Sequence, residues 1–129
     1  MRTKRSFFMR TKSILTAAAL LGIGGTAIAH PKLVSASPSA NAIVATASHI
    51  DLHFSEKLIP AFSKAEVTMA AMPGMGAMRM AGSATLANDG KTLVVTPKAR
   101  LPKGKYIVAW HVVSTDTHKV AGNYAFTVK

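Results

Sequence analysis

The sequence contains no cysteine and only five acidic residues in a length of 129. A disulfide framework, a thiolate metal site and a thiol nucleophile are therefore all excluded. Aromatic residues are also few, with one Trp, two Tyr and five Phe, and they do not alternate with the basic residues. This pattern argues against a nucleic-acid surface, so we expect no nucleic-acid partner. The length fits one domain that has a core of its own.

Acidic residues are absent from residues 1–29, which carry five of the 16 basic residues. A basic start, the apolar run Ile14–Ile23 and the small residues Ala27-Ile28-Ala29 follow one another, as is typical of a secretory signal peptide. The apolar run is short for a membrane span of about 20 residues. We expect export across a membrane, cleavage of residues 1–29 and a functional domain of residues 30–129 without stable membrane insertion. A repeated Met-Arg-Thr-Lys leaves the start at Met1 or Met9 open.

Methionine is absent from the expected domain outside one short segment. Pro73, Gly74 and Gly76 interrupt this segment, so it is not a regular helix with an apolar stripe. Thioethers are soft ligands that favour Cu(I), and the segment is therefore a candidate Cu(I) site. The alternative is a loop that packs on the core or on a partner, as methionines commonly do. The five methionines are Met69, Met72, Met75, Met78 and Met80.

Cleavage after Ala29 would make His30 the first residue of the domain, followed by Pro31. An N-terminal histidine offers a free α-amine and an imidazole on the same residue. Nitrogen ligands in a tetragonal arrangement suit Cu(II), so His30 is a candidate ligand. The alternative is coincidence, because any residue can follow a cleavage site.

A second copper-compatible group is the pair Asp116 and His118. In extended backbone, residues two apart point to the same side, so a carboxylate and an imidazole would form half of a nitrogen–oxygen site. His30 could complete it. A solvated turn without metal is the alternative for such a pair.

Hydrophobic alternation predicts about seven short strands separated by turns. Asn88-Asp89-Gly90 is a hairpin signal, and Ala121-Gly122 is a predicted turn before the last strand. This pattern is typical of an all-β antiparallel sandwich, with no long helix and no second domain. The predicted strands are Leu33–Ser37, His49–Phe54, Ala65–Ala70, Ser83–Ala87, Thr92–Pro97, Lys105–Ser114 and Asn123–Lys129.

Four stretches together resemble the CopC/PcoC family of periplasmic copper-resistance proteins. They are His30-Pro31-Lys32-Leu33-Val34, Leu52-His53-Phe54-Ser55-Glu56, Met69-Ala70-Ala71-Met72-Pro73-Gly74-Met75 and Val113-Ser114-Thr115-Asp116-Thr117-His118. The resemblance covers essentially all of residues 30–129. It implies a Greek-key, cupredoxin-like β-sandwich or barrel. It also implies Cu(II) ligation by His30, Asp116 and His118 and Cu(I) ligation by the methionine segment.

The methionine segment departs from well-known members of this family at one position. Those members carry a loop histidine where this chain has Ala77, and the neighbouring Arg79 adds a positive charge. If Arg79 pointed inward, it would disfavour a bound cation. We therefore expect Cu(I) binding through thioethers alone and with lower affinity than in those members.

Three function classes follow from these observations. The favoured one is a non-catalytic periplasmic protein that carries or buffers Cu(II) and Cu(I) in copper homeostasis and resistance, with copper ions and other periplasmic or membrane copper-transport proteins as partners. The second is a copper-dependent oxidase or oxygenase that uses an N-terminal histidine brace. The third is a metal-free sandwich domain that binds partners through the methionine segment. Copper stoichiometry, and turnover with reductant and oxygen, would separate them.

Overall fold

The computed structural model of the protein describes residues 30–129. The predicted signal peptide and the choice of start methionine lie outside the described residues. Residues 30–129 contain nine strands and one short 3₁₀ turn at Pro60–Phe62, and none of their helices is long and apolar enough to span a membrane. The strands are β1 (Leu33–Ser37), β2 (Ile43–Val44), β3 (Ile50–Phe54), β4 (Lys64–Met69), β5 (Met78–Met80), β6 (Gly82–Leu86), β7 (Thr92–Pro97), β8 (Gly104–Val113) and β9 (Lys119–Val128).

The strands form two sheets, so the predicted all-β sandwich is confirmed. One sheet has the order β1-β3-β7-β6 and the other the order β2-β9-β8-β4-β5. All neighbouring strands are antiparallel except the short pair β2 and β9, which is parallel. The Asp-Gly hairpin signal is confirmed, because β6 and β7 pair directly across Asn88-Asp89-Gly90.

The core lies between the two sheets and is built from the inward-facing side chains of strands in which every second residue is buried. Ile50, Leu52 and Phe54 of β3 are fully buried, as their period-two pattern predicts. From β8, Tyr106 and Val108 enter the same core, and the Tyr106 ring stacks on that of Phe126. Apolar burial on this scale is the main stabilising contribution to such a domain.

The predicted turn at Ala121-Gly122 is wrong. Both residues lie inside β9, which begins at Lys119, and Gly122 stands opposite Trp110 of β8. A Cβ at position 122 would lie only 2.5 Å from Trp110 Cζ2. The glycine therefore makes room for the indole ring rather than turning the chain.

Strand β8 sets the distance between the two predicted copper sites. At its start, Tyr106 pairs with Met69, the last residue before the methionine loop. At its end, Val113 leads into the segment that contains Asp116 and His118. With about 3.4 Å per residue in a strand, Tyr106 and Val113 lie roughly 24 Å apart. The two regions are thus at opposite ends of the sandwich.

Candidate metal centre

Asp116 and His118 lie in the loop that joins β8 to β9. The Ser114 N–H donates to the His118 carbonyl (3.0 Å), and the Thr117 N–H donates to the Ser114 carbonyl (2.8 Å). Thr117 has φ = 72°, so this is a three-residue hairpin loop that ends in a left-handed residue. The left-handed region costs a non-glycine residue about 1–2 kcal/mol, and such strain is common at functional sites.

The loop brings the two side chains together, although the predicted extended backbone is wrong. His118 Nδ1 lies 3.1 Å from Asp116 Oδ2. The Ser114 hydroxyl donates to Asp116 Oδ1, and mainly for this reason the pKa of Asp116 is lowered. The carboxylate is therefore anionic at neutral pH. Our sequence analysis did not single out Ser114, although the residue stands inside the motif that carries the family resemblance.

His30 lies against the same loop. Its ring centroid is 4.7 Å from that of His118, in an edge-to-face arrangement with an interplanar angle of 73°. The segment that follows is anchored on the end of β3, because Lys32 N–H donates to Ser55 Oγ and Ser55 N–H donates to the Lys32 carbonyl, both at 2.9 Å. The structure thus brings His30, Asp116 and His118 to one end of the sandwich.

The donor atoms of this cluster fit a copper ion. His118 Nδ1 is buried, and no described residue forms a hydrogen bond with it despite the nearby carboxylate. Two ligands at right angles, each about 2.0–2.2 Å from a metal, would stand about 3 Å apart, close to the observed spacing. Within residues 30–129, no set of three His, Asp or Glu side chains is already spaced as a metal site. His30 must therefore adjust for all three to bind one ion.

The other histidines of the described part have different surroundings. His53 Nδ1 is 2.9 Å from Thr92 Oγ1. His49 lies 3.6 Å from a carboxylate oxygen of Asp51 on the surface. His111 is exposed on the outer face of β8. These three are not part of the cluster at the β8–β9 loop.

A tight turn forms the tip of the methionine loop. Met72 and Met75 exchange two backbone hydrogen bonds of 2.9 Å across Pro73 and Gly74. Gly74 has φ = 80°, which glycine adopts without the steric cost of a Cβ. Residues paired in this way point to the same face, so the side chains of Met72 and Met75 project together.

The five methionines differ in their exposure. Met72, Met75 and Met78 are exposed, with 39%, 49% and 49% of their surface accessible. Met69 is only 7% exposed and belongs to the core, and Met80 packs partly against it. A Cβ at Gly104 would lie 2.6 Å from the methyl carbon of Met69, so the Met69 side chain lies over the backbone there. Three thioethers are thus open to solvent and two face the interior.

Arg79 does not direct its charge at the thioethers. Its guanidinium forms an ion pair of 2.8 Å with Glu66 of β4. Since side chains alternate along a strand, Arg79 points away from the face that carries Met78 and Met80. The condition under which Arg79 would disfavour a bound cation is therefore not met.

Residues 30–129 thus form a two-sheet β-sandwich with a cluster of nitrogen and oxygen donors at one end and exposed thioethers at the other. Donor atoms of these kinds are the ones with which small protein domains bind metal ions. Residues 33–129 match the CopC domain. The chain is 47% identical to Copper resistance protein C of Xanthomonas campestris pv. juglandis, covering 92% of this chain and 94% of that protein. It is 44% identical to Copper resistance protein C of Escherichia coli, covering 92% and 96%.

A solved structure agrees with these sequence matches. PcoC, a methionine-rich copper resistance protein from Escherichia coli, superimposes with a TM-score of 0.73 at 44% identity, covering 78% of this chain and all of that one. This chain belongs to the CopC domain family of copper resistance proteins.

Proposed function

We propose that this protein carries or buffers copper in the periplasm without catalysing a reaction. Cu(II) is held by the α-amine and ring of His30, by Asp116 and by His118. The observation that carries this proposal is the packing of His30 against His118, whose buried Nδ1 stands 3.1 Å from a carboxylate oxygen. Membership of a copper-resistance family supports copper as the ion.

Cu(I) binds at the other end of the sandwich, through the methionine loop. The exposed thioethers of Met72, Met75 and Met78 are its principal ligands, because they reach an incoming ion without opening the core. Met80 contributes if the loop tightens, and Met69 requires the larger rearrangement. Soft sulfur ligands and harder nitrogen and oxygen ligands prefer different oxidation states. The oxidation state of copper therefore decides which end of the molecule is filled.

The Cu(II) proposal depends on a free amine at His30, and one additional residue tests it. We expect protein that begins at His30 to bind one Cu(II) with a nitrogen-rich tetragonal electron paramagnetic resonance spectrum. A protein with one Met before His30 has that amine in a peptide bond, so its affinity for Cu(II) should fall and its spectrum should change. Identical affinity and spectrum in the two forms would contradict the proposal.

Two histidine variants complete this experiment. His118→Ala should weaken Cu(II) binding strongly and leave Cu(I) binding unchanged, because it removes a ring nitrogen at one end only. His111→Ala is the matched control, since His111 is exposed on the adjacent strand outside the cluster. Equal effects of the two substitutions would argue against a specific role of His118.

A further inference from the structure

Ser114 is a buried polar residue next to the proposed Cu(II) ligands. It is only 1% exposed, and a backbone bridge to Leu58 fixes its position from the neighbouring segment. Its N–H and its carbonyl both hydrogen-bond within the β8–β9 loop. The position of its side chain is therefore set by the fold rather than by the loop alone.

The Ser114 hydroxyl has one proton and two acceptors nearby. The carboxylate Oδ1 of Asp116 is in close contact with Oγ, whereas the carbonyl oxygen of His118 is 3.4 Å away. A hydroxyl donates only one hydrogen bond, and a charged acceptor makes the stronger one. The proton is therefore donated to Asp116.

This hydrogen bond restricts a side chain that is otherwise free to move. The side chain of Asp116 is 48% exposed, and an exposed carboxylate ordinarily samples several rotamers. Because Oδ1 is held by Ser114, Oδ2 remains on the side of His118 Nδ1.

We propose that Ser114 is a positioning residue for Cu(II): its buried hydroxyl holds Asp116 Oδ1, so that Oδ2 faces the ion beside His118 Nδ1. This inference rests on the proposed Cu(II) site. Groups that orient metal ligands in this way typically change metal affinity by about 10–100-fold when they are removed.

The first test compares two buried serines in protein that begins at His30. Ser114→Ala should lower the affinity for Cu(II) by about 10–100-fold and alter the electron paramagnetic resonance spectrum, with Cu(I) affinity unchanged. Ser63→Ala is the matched control, because Ser63 is also buried and its hydroxyl bonds the backbone of Val113 rather than a ligand. It should reduce thermal stability but leave Cu(II) binding unchanged. Ser114→Thr keeps the hydroxyl and should retain most of the affinity.

A double-mutant cycle then shows whether Ser114 acts through Asp116. If it does, Ser114→Ala combined with Asp116→Ala should bind Cu(II) no more weakly than Asp116→Ala alone. The inference would be overturned if the losses of Cu(II) affinity in the two single variants added up in the double variant. It would also be overturned if folded Ser114→Ala protein bound Cu(II) with the wild-type affinity. Either result would leave the Cu(II) site itself in place. Absence of Cu(II) binding by the wild-type protein would overturn both, and this is measured before any variant is made.

Discussion

The division of the methionines into exposed and buried groups predicts that two alanine substitutions differ in their effect on stability. Met69 is 7% exposed and lies over the backbone of Gly104, so Met69→Ala opens a cavity and should cost about 2–5 kcal/mol of unfolding free energy. In a domain of this size each 1 kcal/mol shifts Tm by about 4–8 °C, so Tm should fall by about 8 °C or more. Met75→Ala, at a half-exposed position, should change stability by less than about 0.5 kcal/mol.

Leucine substitutions separate packing from metal ligation, because leucine has a similar volume but no sulfur. Met69→Leu should cost less than about 1.5 kcal/mol and leave Cu(I) affinity unchanged. Met75→Leu should leave stability unchanged and weaken Cu(I) binding by at least tenfold, which is about 1.4 kcal/mol of binding free energy. Thermal unfolding of the metal-free proteins and competition with a Cu(I) chelator measure the two quantities. Equal loss of Cu(I) affinity in Met69→Leu and Met75→Leu would refute the assignment of Met69 to the core.

Three further predictions concern pH and packing. Cu(I) affinity should change little between pH 5 and 8, because thioethers do not titrate. Cu(II) affinity should fall steeply on acidification, because its nitrogen ligands take up protons. A steep fall of Cu(I) affinity at acid pH would indicate a histidine ligand. Hydrogen bonds from the Lys91 backbone and from Thr92 lower the pKa of Asp89. The ionised Asp89 carboxylate therefore stabilises the folded protein fully above the ordinary carboxyl pKa of about 3.9. This stabilisation is lost as the pH falls through the lower pKa that Asp89 has in the folded protein. Asp89→Asn should accordingly lower Tm at pH 6, with a difference from wild type that shrinks by pH 2. Gly122→Ala should destabilise the protein by about 1–3 kcal/mol, since the new methyl group would overlap Trp110. A change in Trp110 fluorescence should accompany this loss of stability. Unchanged stability would show that the indole has room to move.

Elements whose signals are local can be predicted from the sequence alone. Alternation of Ile50, Leu52 and Phe54 predicted both the strand β3 and its buried face, because side chains in a strand alternate between the two faces. The Asp89-Gly90 step predicted the β6–β7 hairpin through backbone preferences of those residues alone. The residue types in the methionine segment and around Asp116 indicated copper for the same reason, since the preference of a ligand atom for a metal depends on its chemistry and not on the fold.

Pairing between strands that are distant in sequence cannot be predicted in this way, because it depends on how the whole chain folds. The strands β2 and β5 were missed, because two or three residues carry too little periodic signal and form strands only against β9 and β4. Gly122 was assigned to a turn for a related reason: its role is to admit the indole of a residue on another strand. That contact between two strands cannot be predicted from the local sequence around Gly122.

The geometry of the candidate sites likewise required the folded chain. His30 and His118 lie near opposite ends of the described domain in sequence, and their rings meet only in the folded chain, where residue 32 is anchored on Ser55. The pairing of Arg79 with Glu66 and the burial of Met69 depend on which faces of β4 and β5 meet the core. The sequence shows which chemical groups are present, but the two sheets determine which of these groups face a common point. Side-chain direction depends on the register between paired strands, and these strands are distant in sequence.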